Sequence, residues 1–251
     1  MDNKRLLECL EADFARLREA ATAVDSAAVV PSCPDWTVAE LGRHVGAVYL
    51  HKVECMRLGQ PPQPWPPDEL NDEDPISLLD RSHAALVGEF AARDPQAATF
   101  TWYDPDQTVG FWIRRMAQET VIHRVDAELA AGLPHAPVPD DLAHDGIDEI
   151  LVTFVEFMVH KWAEEFTEVL APVPGTSVRL ETPSAAWLVR LSPESVEVRV
   201  SDVDQADAVV RGGPTELLLW LWNRADDDAV TITGDAATVD VLRRVLEECT
   251  Q

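Results

Sequence analysis

The amino-acid sequence predicts an α+β protein: an antiparallel four-helix bundle with one extra helix over residues 1–171, then a small α/β domain over residues 172–251. Three observations carry this. Apolar residues recur at three- and four-residue steps through the first two thirds of the chain, the period of helices with one buried face. After the punctuation "APVPG" at 171–175 the period shortens to two, the signature of strands. The chain of 251 residues is 46% hydrophobic, enough for one large core or two modest ones, and holds no apolar run of the ~18 residues that a membrane span needs.

The elements follow in order. Residues 2–24 carry Leu6, Leu10, Phe14 and Leu17 along one stripe of a first helix. A second starts at Thr37, because "TVAE" is a capping box in which Glu40 reaches back to Thr37, and it runs to about Arg57. "GQPPQPWPPDEL" is too rich in proline for regular structure and reads as a surface loop. Further helices fit residues 75–93, about 107–131 and about 142–168. Long helices with short connections favour antiparallel neighbours. Beyond the punctuation, "SVRLET", "AAWLVRLS", "SVEVRVSD" and "DAVVRG" alternate as strands. "PTELLLWLWNR" is a helix, "AVTITG" a short strand, and residues 235–248 a closing helix.

Charge and cysteine usage exclude whole classes. The formal net charge is −25, and both parts are acidic, with 13 basic against 31 acidic residues before Val173 and 7 against 14 from there on. No basic footprint for a phosphate backbone exists, so no nucleic-acid partner is expected. The N-terminal segment "MDNKRLLECLEADFARL" lacks an apolar signal core, and no membrane partner is expected; the location read from this is cytoplasmic. Cys9, Cys33, Cys55 and Cys249 show no CxxC spacing and read as free thiols.

The helix over 107–131 holds the main anomaly. At 100° per residue, Val109, Trp112, Ile113, Met116, Thr120, Ala127 and Ala130 share a face, and Glu119 and His123 lie within it; Arg114, Gln118 and Glu128 fall on the opposite side. A carboxylate among apolar side chains is costly unless it is paired or bound to a metal. The i, i+4 spacing brings Glu119 and His123 to one point, as in helical metal sites, although a plain Glu–His hydrogen bond satisfies the same spacing. A third ligand has to come from another helix. His44 and His51 project from nearly the same side of the second helix, and periodicity does not choose between them. His83, His135, His144 and His160 have no comparable setting.

At this point "VPSCPDWTVAELGRHVGAVY" (30–49) and "ETVIHRVDAELAAG" (119–132) resemble the mycothiol-dependent maleylpyruvate isomerase family of the DinB-like superfamily. "DAVVRGGPTELLLWLWNR" resembles that family's C-terminal domain. The resemblance implies a DinB-like bundle over 1–171 and a C-terminal domain akin to sterol-carrier folds over 172–251. It selects His44 over His51, and it makes His44, Glu119 and His123 the ligands of a divalent metal, most simply zinc. It also implies mycothiol as the thiol and, at Arg224, a guanidinium able to hold a substrate carboxylate. Independently of the resemblance, Arg224 near a helix C-terminus has the ordinary role of complementing the dipole. Arg124, turned away from the ligand face, reads as half of an interhelical ion pair, and Asp126 as a group that can orient a metal-bound histidine. Cys33 precedes a helix N-terminus, where a thiol pKa can fall, but its "SCPDW" turn has a sufficient structural role.

The chemistry implied is a metal-activated thiolate acting on a small, anionic or electrophilic molecule. It either isomerises a double bond by addition and elimination or remains attached, as in a mycothiol S-transferase. Two readings stand against it: a non-catalytic small-ligand-binding protein with a residual metal site, and a thiol-independent metal hydrolase using bound hydroxide.

Overall fold

A computed structural model describes residues 1–200 and 205–250. The chain divides into two compact units, Met1–Ala136 and Pro137–Gln251. The division expected at 171/172 therefore moves to 136/137.

The first unit is the expected bundle. Its long helices are α1 (Asn3–Thr22), α2 (Val38–Leu58), α4 (Pro75–Ala92) and α5 (Val109–Ala130); the single turn α3 (Glu69–Asp72) precedes α4. A hairpin of β1 (Val29–Val30) and β2 (Cys33–Thr37) joins α1 to α2. Thr37 and Glu40 form the capping box foreseen at the start of α2. Asp2, Asp74 and Thr108 cap α1, α4 and α5 by accepting a backbone N–H from within the first turn.

Named pairs give the helix directions. Asp13 meets Arg124 and Arg16 meets Glu128, so α1 and α5 run parallel. Gly42 faces Pro75 and Gly46 faces Leu78, so α2 and α4 also run parallel. A Cβ on Gly46 would stand 2.9 Å from Leu78 Cγ, which shows how closely these two backbones approach. Tyr49 bonds Thr120 and Lys52 lies over Trp112, which makes α2 antiparallel to α5. Arg18–Asp80 and Glu11–His83 make α1 antiparallel to α4. Two of the four packed pairs are thus antiparallel and two parallel. The proline-rich stretch is the reason. Residues 59–74 carry the chain back along the 21-residue α2, about 30 Å at ~1.5 Å per residue, so that α4 starts where α2 starts.

α5 is the central helix of this unit. Gln118 and Glu128, expected on its far side, are 1% and 2% exposed, because α1 and α2 pack on it from two directions. Buried charged groups on it are paired within the unit. Arg124, 0% exposed, ion-pairs with Asp13 at 3.0 Å and Glu128 at 2.7 Å and donates to the Ala136 carbonyl, and Arg16 reaches Glu128 at 2.8 Å. This is the interhelical pairing expected of Arg124.

The second unit begins with the helix expected at 142–168. It comprises α6 (Asp140–Asp148), a π-helical stretch (Glu149–Glu156) and α7 (Phe157–Lys161); the chain breaks at Trp162 and resumes as α8 (Thr167–Leu170). Its apolar face, including Leu142, Ile147, Ile150, Leu151 and Val155, is buried beside α9 (Pro214–Leu221), α10 (Ala236–Cys249) and β5 (Val196–Val200) of its own unit. That packing moves the boundary: periodicity shows that a helix has a buried face, not what covers it.

The sheet has the order β5-β4-β3-β6-β7, with β3 (Thr176–Glu181), β4 (Ala186–Leu191), β6 (Ala208–Arg211) and β7 (Thr231–Gly234). Only β3 and β6 run parallel among these pairs. Every expected strand is present; residues 201 and 202 of "SVEVRVSD" lie outside the described residues. Trp220, 0% exposed, is a core residue, with Arg243 over its ring. No helix among the described residues is long and apolar enough to cross a membrane.

Candidate metal centre

His44 on α2 and Glu119 and His123 on α5 converge within the first unit. Their ligand atoms all lie within 4.8 Å of one another. His44 Nε2 and His123 Nε2 each stand 3.2 Å from the same oxygen, Glu119 Oε1. Ligands about 2.0–2.1 Å from a tetrahedral zinc are separated by roughly 3.4 Å, so the three donors fit such an ion with little movement. Among the described residues this is the one group of three or more His, Cys, Asp or Glu that could hold a metal ion. His51 lies elsewhere: its Nδ1 is 3.2 Å from Lys52 Nζ and 3.6 Å from Cys55 Sγ, and its ring abuts Trp65.

The surrounding side chains hold each ligand in place. Asp126, buried, approaches His123 Nδ1 at 2.9 Å; a carboxylate only accepts, so Nδ1 carries the hydrogen and Nε2 faces the ligand point. Ser32 of the β1–β2 connection donates to the other Asp126 oxygen at 2.5 Å. Arg115, one turn before Glu119, occupies Glu119 Oε2 at 2.5 Å and leaves Oε1 as the donor. Trp36 from β2 covers the imidazoles, its ring centre 4.6 Å from that of His44 and 6.1 Å from that of His123. Asp126→Asn is expected to weaken metal affinity by about 10–100-fold without unfolding the bundle, because the amide can present its N–H to His123 and favour the wrong tautomer. Competition with a metal-binding dye checks this, and unchanged affinity would sink the role given to Asp126.

The electrostatics suit a cation. Burial by itself would raise the Glu119 carboxyl, but His123, His44 and Arg115 outweigh it and hold the group well below the usual carboxylate range. Burial by itself would lower His123, but the Glu119 charge and the bond to Asp126 outweigh it and lift the imidazole to about 9. The protein thus surrounds this point with ionised acid, and a divalent ion would take the position that the His123 proton otherwise balances.

The remaining candidates make other contacts. Arg224 belongs to the second unit, just past α9, where its Nη1 donates to the Trp222 carbonyl at 2.8 Å. Cys33 is half-buried, its sulfur 4.0 Å from Asp126. His83 stacks on Phe14, and His144 bonds Thr182. Arg115 and Trp36 were not foreseen as site residues. Arg115 is open to the i, i+4 rule that pairs Glu119 with His123; Trp36 lies in the "SCPDW" turn, and no spacing rule links it to the ligands.

Comparison with known proteins bears on the family and the fold. Residues 7–128 match the mycothiol maleylpyruvate isomerase N-terminal domain and residues 141–241 match the C-terminal domain of the same family. The crystal structure of a mycothiol-dependent maleylpyruvate isomerase is similar in fold, with a TM-score of 0.63 at 16% identity over 94% of this chain and 95% of that one. A histidine-to-alanine mutant of that enzyme gives a TM-score of 0.62 at the same identity and coverage. No curated protein matches the chain.

Proposed function

The chain belongs to the mycothiol-dependent maleylpyruvate isomerase family, and from that membership we propose that it is a metal- and mycothiol-dependent enzyme that isomerises a small anionic substrate of the maleylpyruvate type. The observation that carries the reading is the meeting of two imidazole nitrogens and one carboxylate oxygen at a single point, with the second nitrogen of His123 tied to a buried acid.

A divalent metal held by these residues, most simply zinc, would lower the pKa of the mycothiol thiol and so supply a nucleophilic thiolate near neutral pH, the chemistry that reversible addition to a cis double bond would need. His44 and His123 contribute neutral nitrogen donors and Glu119 one anionic oxygen, a three-ligand set that leaves room for an exchangeable ligand. Such a set also accommodates iron, nickel or manganese. Asp126 fixes the tautomer and ring plane of His123. Arg115 prevents Glu119 from swinging to a two-oxygen grip. Trp36 packs beside both imidazoles and limits their rotation. Arg224 is proposed to hold a carboxylate of the substrate. The same ligands serve an S-transferase in which the thiolate stays attached, but family membership favours the isomerase.

The test is conversion of maleylpyruvate by zinc-loaded protein with and without mycothiol. The reading expects the trans isomer only when thiol is present. A stable thioether adduct would mean a transferase, and turnover without thiol would overturn the mechanism.

A further inference from the structure

Beyond the ligands, the seam between α2 and α5 contains a second charged group that the mechanism above does not use. Lys52 lies two turns past His44 on α2, about 12 Å along the helix. Its ammonium stands 5.0 Å from the centre of the Trp112 ring and 3.2 Å from His51 Nδ1. Neither contact neutralises it. His51 is held to about 4 by burial and by Lys52 itself, so it accepts as a neutral ring. Among the described residues no carboxylate lies within ion-pair distance of Lys52, although this is an acidic chain with 45 Asp and Glu against 20 Lys and Arg.

The direction of the side chain points toward the ligand site. Helical side chains lean toward the N-terminus of their helix, here toward His44. Trp112 lies two turns before Glu119 on α5, roughly 10 Å away along that axis. Lys52 feels the Glu119 charge, which holds its proton on, and the Arg115 charge, which opposes it; burial is the larger effect and brings it down to about 8. Two cations, Lys52 and the buried Arg115, therefore lie along one seam, and Arg115 already grips the Glu119 carboxylate. A partly buried ammonium resting only on an aromatic face and a neutral nitrogen is poised for an anion.

Resting on the function proposed above, we propose that Lys52 is a substrate-binding residue: its ammonium receives a carboxylate of a ligand whose reacting end lies at the His44–Glu119–His123 point, selecting dianionic over neutral substrates.

The probe is maleate, with its neutral dimethyl ester as the control, titrated calorimetrically into zinc-loaded full-length protein whose metal content is measured alongside. Wild type is expected to bind maleate. Lys52→Met should bind it at least about tenfold more weakly, the usual effect of a hydrogen bond to a charged group, while Lys52→Arg stays within a few-fold of wild type. Zinc content and binding of the ester should be unchanged in both, whereas a merely structural role would move maleate and ester together. If Lys52→Met does not fold, Lys52→Gln is read in its place. Equal maleate affinity in the variant, loss of zinc along with it, or no maleate binding by wild type would each overturn the proposal. Maleate binding through Lys52 in a protein that does not isomerise maleylpyruvate with mycothiol would leave this site standing and remove the isomerase reading alone.

Discussion

Glu119→Gln is expected to abolish stoichiometric metal binding and to lower mycothiol-dependent turnover by about 10³-fold or more. The substitution is nearly isosteric, so the loss is one of charge. Glu119 Oε1 is the atom that both imidazoles approach at 3.2 Å, and it supplies the single negative ligand of the set. A bound metal contributes several kcal/mol of charge stabilisation, and each 1.36 kcal/mol is tenfold in rate. The variant also leaves Arg115, 4% exposed, without the carboxylate it grips at 2.5 Å. A fall in thermal stability of the metal-free protein should therefore accompany the loss of metal. Turnover and metal content within tenfold of wild type would exclude Glu119 as a ligand.

Arg124→Ala is expected to destabilise the protein by about 3–5 kcal/mol, the range for removing one partner of a buried ion pair. Arg124 ties Asp13 on α1 to Glu128 on α5; without it Glu128 keeps the half-exposed Arg16 and the Ala136 N–H, while Asp13 loses its ion-pair partner. The loss should depend on pH. Burial raises Asp13 to about 6, against the pull of Arg124; without Arg124 the carboxyl rises further and takes up a proton more readily. Protonation removes the uncompensated charge, so the gap between variant and wild type narrows as pH falls from 8 toward 5.5. Chemical denaturation at both pH values measures it, and an equal gap at each would contradict the account of this cluster.

Much of the site was legible because helical spacing is local. Glu119 and His123 stood one turn apart inside an apolar face, and the capping box set the phase of α2 and hence the direction in which His44 projects. The choice of His44 over His51 was not available from periodicity and came from resemblance. Long-range features left little trace. Arg115 looks like any surface arginine until α5 proves to be buried on nearly every side, and Gln118 and Glu128 misled for the same reason. The β1–β2 hairpin is too short, and too interrupted by proline, to alternate. The parallel pairing of α2 with α4 depends on where residues 59–74 lead the chain. The boundary at Ala136 depends on what the helix from Asp140 packs against, and "APVPG" marks a change of element and not of unit.

The most direct test of the metal-centre account is metal content per chain in protein purified without a histidine tag, set beside His123→Ala prepared identically. The account predicts about one divalent ion per wild-type chain, as expected for a single three-ligand site, and its loss in the variant. No metal in either protein, even after zinc is added, would contradict it and leave Glu119, His44 and His123 as a hydrogen-bonded cluster.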